Sequence, residues 1–300
     1  MKLIKISILF VCFLVIFTSL AYTQSPVIKT RTFIVNLFIT ATKHGKYVTD
    51  LKKNDFEIFE NGVKQDILYF RNLKTIKEIP LTMVILVDTS GSVSDKLSLE
   101  IKTASKFLEE ILRPKKDIAA IIEFHSEVVL VQDFTDKVEK LEEGLNKLRP
   151  GGNTALYDAI YLASEEKLKG EAGRKIIIVL SDGEDTCSMV SEKEAIKAAQ
   201  SADVLIYGLG VRTRGIKSNF GVLEKMCKST GGRFFKVGVS FRELRETFKE
   251  IERDIRCQYN IAYKPKDIEF KGRFRKIKVK VKRRGIKLRY RNGYFEPEEM

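Results

Sequence analysis

Leu81-Thr82-Met83-Val84-Ile85-Leu86-Val87 runs without a charge into Asp88-Thr89-Ser90-Gly91-Ser92. The run from Leu81 to Val87 lacks the alternation of a strand with one wet face, so it reads as a strand covered on both faces, as in parallel sheets. Asp88 to Ser92 then occupy the loop at the strand's carboxyl end, where open α/β sheets bind ligands. Comparable buried runs recur at Ile118 to Phe124, Val128 to Val131, Ile176 to Leu180 and Val204 to Leu209. Between them, Leu97, Ile101, Ala104, Leu108 and Ile111 share one helix face, as do Leu156, Ile160 and Ala163. Strands alternating with helices predict an α/β fold, a Rossmann-like, doubly wound and mostly parallel sheet over residues 78–257.

The flanks read differently. Arg31 to Thr42 places Phe33, Val35, Leu37 and Ile39 on one face of a strand that ends in the turn Lys43-His44-Gly45-Lys46. Phe56 to Phe59 and Val63 to Phe70 form a strand pair joined through Glu60-Asn61-Gly62, where Asn-Gly signals a tight hairpin. Near the other end, Ile277, Val279 and Val281 alternate with Lys276, Lys278, Lys280 and Lys282. After Arg283-Arg284-Gly285, Ile286, Leu288 and Tyr290 alternate with Lys287, Arg289 and Arg291. The pattern predicts a hairpin with one apolar and one basic face. Two strands alone are marginal, so the expected partner of the apolar face is the N-terminal β unit. The expectation is a small discontinuous β domain, residues 22–77 plus 258–300, with the α/β domain inserted into it.

A second acidic loop, Ser181-Asp182-Gly183-Glu184-Asp185, follows the strand Ile176 to Leu180, and Gly151-Gly152-Asn153-Thr154 opens a helix. If the first and fourth strands of the sheet are neighbours across the switch point, Asp88 and Asp182 meet there with Ser90, Ser92 and Thr154. Two carboxylates and three hydroxyls make an oxygen-only donor set, suited to a hard divalent cation such as Mg²⁺ and unsuited to zinc or copper. Glu184 and Asp185 read as solvated loop acids, and His44 and His125, the two histidines of the chain, as structural.

Asp88-x-Ser90-x-Ser92, Thr154 and the Ser181-Asp182-Gly183 loop resemble the metal-ion-dependent adhesion site of von Willebrand factor A domains, with all five motif positions matched over roughly residues 80–256. Val48-Thr49-Asp50-Leu51 to Phe70 and Gly293-Tyr294-Phe295 more loosely resemble flanks of exported bacterial proteins carrying this domain. The resemblance implies a Mg²⁺ or Mn²⁺ held by Asp88, Ser90, Ser92, Thr154 and Asp182, bridging to an Asp or Glu of a protein partner, and no catalysis. It leaves open which of the five ligate directly and which through water.

Rival functions find less support. A phosphatase built on Asp88 would want a second aspartate at the position of Ser90, and no Gly-x-Ser-x-Gly surrounds either serine. The net charge of +14 concentrates in Lys264 to Arg291, which hold fourteen Lys and Arg against Asp267 and Glu269. Lys276, Lys278, Lys280, Lys282, Lys287, Arg289 and Arg291 are therefore the candidates for binding a polyanion, an acidic glycan or an anionic membrane surface. The alternative is a solvated face partly neutralised by Asp55 and Glu57. Lys2 and Lys5 before an uncharged run from Ile6 to Leu20, then Ser19-Leu20-Ala21, predict a secretory signal over residues 1–21, with an uncleaved anchor as the alternative. An exported chain, periplasmic, cell-surface or secreted, makes nucleic acid a poor partner. Cys187, Cys227 and Cys257 then permit at most one internal disulfide, with three pairings open.

Overall fold

The computed structural model describes residues 33–72, 79–211, 220–237 and 240–297. The expected signal at 1–21 lies outside the described residues. The strand Leu81–Asp88 (β6) is buried at every position because it is central: Ile118–Phe124 (β7) pairs with it in parallel on one side and Arg174–Ser181 (β9) on the other. With Val128–Thr135 (β8), Leu205–Val211 (β10) and Phe234–Val237 (β11), the six strands run in the order β11-β10-β9-β6-β7-β8. The sheet reverses its winding between β6 and β9, so the first and fourth strands are indeed neighbours there.

Alternate residues of β6 feed two cores. Met83, Ile85 and Val87 pack with helices Ser94–Ile111 (α1), Val138–Leu145 (α2) and Phe241–Arg256 (α6). Val84 and Leu86 face Leu156–Leu162 (α3), which continues as a π-helical turn through Leu168, together with Glu192–Ser201 (α4) and Phe220–Thr230 (α5). The expected helix faces hold: Leu97, Ala104, Leu108, Ile111, Leu156, Ile160 and Ala163 are buried, while Ile101 is half-buried. In the turn from α5 to β11 the backbone approaches β10 so closely that a Cβ on Gly232 would lie 1.9 Å from the Ile206 carbonyl oxygen.

Val128 to Val131 departs from expectation. It belongs to the outer strand β8, antiparallel to β7 and exposed at Val129 and Leu130. Four consecutive apolar residues do not distinguish a central strand from an edge.

The flanking segments build two further sheets. One contains Val35–Lys43 (β1), Lys46–Tyr47 (β2), Ile67–Asn72 (β5), Gln258–Tyr263 (β12) and Lys287–Arg289 (β14), with β14-β1-β12-β5 in order and β2 beside β1. The other contains Phe56–Glu60 (β3), Val63–Gln65 (β4), Phe274–Val281 (β13) and Gly293–Phe295 (β15), ordered β15-β13-β3-β4. His44 and Gly45 turn β1 into β2 with positive φ, and Asn61-Gly62 does the same for β3 and β4. β5, the last strand before the α/β sheet, pairs with β12, the first after it, with Tyr259 opposite Asn72.

Two expectations are corrected here. Val63 to Phe70 is not one strand, since the chain breaks at Asp66 and its halves join different sheets. The C-terminal segments are not a hairpin: β13 pairs with β3 and β15, whereas β14 crosses to β1. Buried Glu60 joins the two sheets, accepting hydrogen bonds from Tyr263 at 2.5 Å and Tyr294 at 3.1 Å and an ion pair from Arg275. From Ile34 onward the chain is one compact unit containing all three sheets. Cys187 and Cys227 are free thiols, and burial pushes that of Cys227 up to about 12.

Candidate functional site at the sheet switch point

Because β6 and β9 are adjacent and parallel, both chains leave the sheet at the same edge and Asp88 and Ser181-Asp182 emerge side by side. Asp88 and Asp182 are fully buried, Ser90 and Thr154 nearly so, and Ser92 is half-buried. Asp88 Oδ1 accepts a hydrogen bond from the Ser90 backbone N–H at 2.9 Å, and its Oδ2 accepts one from the Ser181 hydroxyl at 2.7 Å. The Ser90 and Ser92 hydroxyls are 3.0 Å apart, and Ser92 donates to Asp182 Oδ2 at 3.0 Å. Asp182 Oδ1 accepts from the Glu184 backbone N–H at 3.1 Å. A short Gly91–Val93 turn then leads into α1.

The loop carrying Thr154 is stitched to the first one through the backbone, Gly151 N–H to Thr89 O at 2.7 Å and Gly91 N–H to Gly152 O at 3.2 Å. Gly152 has a φ of +76°, and a Cβ there would lie 2.6 Å from the Ser126 hydroxyl, so this turn demands glycine. Thr154 also exchanges bonds with the loop after Asp182: its N–H donates to Thr186 Oγ1 at 2.9 Å, and its carbonyl accepts from the Thr186 N–H at 2.8 Å. The five residues singled out in the sequence thus stand on three loops that hold one another in place.

Asp185 is not the solvated acid the sequence suggested. Its Oδ1 accepts from the Tyr157 N–H at 3.1 Å and from the Ser188 hydroxyl at 2.5 Å, and Asp158 caps the backbone N–H groups of Met189 and Val190. This clamps the loop after β9 onto the start of α3 and leaves Met189 95% exposed beside it. Glu184 is half-buried. The His125 carbonyl accepts the Ala155 N–H at 2.8 Å, a structural place for that residue.

Burial pushes the Asp88 carboxyl up to about 6, against the pull of its bonds from Ser90 and Ser181, and the nearby Asp182 raises it further. Sequence reading missed one further residue that acts on the pair: Glu100 of α1 is 1% exposed, and neither carboxylate oxygen has a hydrogen-bond partner among the described residues. Its place was legible in principle, since Leu97, Glu100, Ala104 and Leu108 fall on one helical stripe. Oxygen donors around buried, mutually repelling acids fit a hard divalent cation. Among the described residues no three His, Cys, Asp or Glu side chains converge as a metal cluster, so the hydroxyls complete any donor set.

The basic residues do not form one face. Lys276, Lys278 and Lys280 point outward from β13, and Lys282 and Lys287 are exposed as well. Arg289 and Arg291 turn inward: Arg289 pairs with Asp254, and Arg291 is buried and pairs with Asp203 at 2.6 Å. Both leave the polyanion candidates as a correction, because their partners come from the α/β part of the chain.

Residues 82–250 match the von Willebrand factor type A domain, and residues 3–140 match a family described only as a protein of unknown function, DUF1184. No curated protein matches the chain. Among solved structures, proximal thread matrix protein 1 from the mussel byssus is similar, at 17% identity and a TM-score of 0.53, over 66% of this chain and 51% of that one. A form of it described as having a zinc-occupied MIDAS motif gives 19% and 0.52, over 63% and 49%. An aerotolerance-related membrane protein from Bacteroides fragilis NCTC 9343 gives 18% and 0.50, over 58% of this chain and 98% of that one. At these identities the likenesses speak for the fold. The matched segment covers more than half of the chain and contains β6, the switch point and all five loop residues, and the chain belongs to the von Willebrand factor type A domain family.

Proposed function

We propose that this chain is an exported, non-enzymatic adhesion or assembly module that binds a protein partner through a divalent cation. The observation that carries the reading is the hydroxyl chain Ser90–Ser92–Asp182 beside buried Asp88 at the mouths of two adjacent parallel strands. Asp88, Ser90, Ser92, Thr154 and Asp182 would hold Mg²⁺ or Mn²⁺. Bound there, the cation would supply an electrophilic position for an Asp or Glu oxygen of the partner. The chain's own part is to keep the hydroxyls preorganised, to exclude bulk water around Asp88, and to present exposed Met189 as an apolar contact near the rim. Titrating the purified chain with Mg²⁺ and Mn²⁺ by calorimetry, with and without acetate as a carboxylate mimic, tests this. Saturable binding abolished by EDTA is expected, and none with either metal, even with acetate present, overturns it.

One observation favours a second reading, anion binding by the outer face of β13. Lys276, Lys278, Lys280 and Lys282 share that exposed region with Lys64, and Glu57 lies opposite Lys280, paired with Lys64 at 2.7 Å. Lys64 most strongly, then Lys282 and Lys280, hold the Glu57 carboxyl below its usual range. Heparin binding by this face should weaken at least about tenfold between roughly 50 and 200 mM salt and ignore EDTA. Salt-insensitive or absent binding leaves the lysines as a solvated surface.

A further inference from the structure

Helix α1 buries Lys96, Leu97, Glu100, Thr103, Ala104, Phe107, Leu108 and Ile111. Seven of these positions carry apolar or small residues or a lysine with a long apolar stem, and all of them suit a core. Glu100 does not. An unpaired buried carboxyl costs several kcal/mol or takes up a proton, and a leucine would fill the same stripe without that cost. Both Glu100 oxygens lack hydrogen-bond partners, and the charged groups that act on it are Asp88 from β6, Asp182 from the loop after β9, and Lys96 one turn earlier on the same helix. The three acids do not converge closely enough to ligate one ion together. Glu100 is therefore coupled to the two aspartates through the field and does not share an ion with them as a third ligand.

We propose that Glu100 is an outer carboxylate of the cation site, a positioning residue that strengthens cation binding while Lys96 opposes it. The inference rests on the metal-binding reading of Asp88, Ser90, Ser92, Thr154 and Asp182. Two aspartates balance a divalent cation; a third, buried carboxylate adds attraction that is barely screened by solvent. Partial cancellation by Lys96 then leaves the bound cation enough positive character to attract a partner's carboxylate. Burial pushes the Glu100 carboxyl up to about 8, reinforced by Asp88 and Asp182 and opposed by Lys96, so the metal-free protein keeps it protonated at neutral pH. A nearby cation reverses that preference.

The test compares wild type, Glu100→Gln and Lys96→Gln by Mg²⁺ and Mn²⁺ calorimetry, with thermal unfolding in EDTA across pH. Glu100→Gln should weaken both metals by about tenfold or more, the usual effect of removing an outer-shell partner. Lys96→Gln should tighten them severalfold. In EDTA, wild type should lose stability as pH rises from 6 to about 8. The folded pKa of Glu100 lies above its unfolded value, so its contribution is present at low pH and lost through that window. Glu100→Gln should lack this slope, which reports burial alone; the opposite signs of the two variants' metal affinities are what a merely structural role would not produce. Equal affinities in Glu100→Gln and wild type, or weakening in both variants alike, overturns the inference. If Glu100→Gln does not fold, Lys96→Gln decides by its sign. Failure of wild type to bind either metal instead overturns the parent reading, and this inference with it.

Discussion

Replacing Asp88 with asparagine should abolish divalent-cation binding, by more than about a hundredfold in affinity, while leaving the metal-free domain at least as stable as wild type. The affinity loss follows because an anionic ligand is removed from the centre of the site, a larger change than the ten- to hundredfold typical of outer-shell partners. The stability gain follows from burial. Asp88 is fully buried beside Asp182, and its carboxyl is pushed up to about 6 from an unfolded value of 3.8. The stability it contributes is therefore present below about pH 4 and lost as pH rises through 6. At pH 8 the charged form costs about 3 kcal/mol, which asparagine avoids while still accepting the Ser90 N–H bond. An increase of about 5 °C or more in Tm is expected at pH 8 in EDTA, shrinking toward pH 4. Unchanged Mg²⁺ affinity, or a Tm several degrees lower, would contradict this account.

Asp254→Ala should cost about 3–5 kcal/mol of unfolding free energy, the range for removing one partner of a buried ion pair. Asp254, on α6, is fully buried; it accepts from the Tyr207 hydroxyl at 2.7 Å and pairs with Arg289 of β14. Arg289 continues to Thr40 Oγ1 at 3.1 Å and to the Gly231 carbonyl at 3.0 Å. Close by, Arg174 is itself buried, donates to the Ile255 carbonyl and Gln258, and stacks 4.8 Å over the Phe38 ring. Without Asp254, two guanidinium groups remain in the interior with no carboxylate between them. The network spans β1, β10, α6, β12 and β14, so urea unfolding should stay one transition at a lower midpoint. A loss under 1 kcal/mol would show that water replaces the carboxylate.

The α/β sheet and its ligand edge were legible because they rest on local signals. A charge-free strand followed by Asp-Thr-Ser-Gly-Ser names both a central strand and the end at which chemistry sits, and the second acidic loop repeats the arrangement three strands on. The flanks were harder for a physical reason: alternation identifies which side of a strand is apolar but not which strand lies beside it. Ile277 and Val279 gave the right face of β13, but Ile286 and Leu288 are only half-buried, and β13 and β14 lie in different sheets. Arg289 and Arg291 sat in the same alternation as the lysines and read as exposed. Their inward turn depends on Asp254 and Asp203, tens of residues earlier, and no local pattern encodes such a pairing. Phe234–Val237 and Gln258–Tyr263 escaped as strands because they are short and adjoin helices. Glu100 was hidden among the charged residues of α1, where an acid ordinarily faces water.

The pairing of β5 with β12 closes the entire α/β sheet into a loop, with Asn72 and Tyr259 side by side at its base. For the proposed role of holding a protein partner, this matters mechanically. Tension along the backbone from β1 or β15 passes across the short ladders among β1, β12, β14 and β5, with the Arg289–Asp254 and Arg291–Asp203 pairs as side-chain links to residues 81–256. Along the backbone, the route to the loops around Asp88 therefore runs through β5 and β12, whose ladder meets a pull before those loops do.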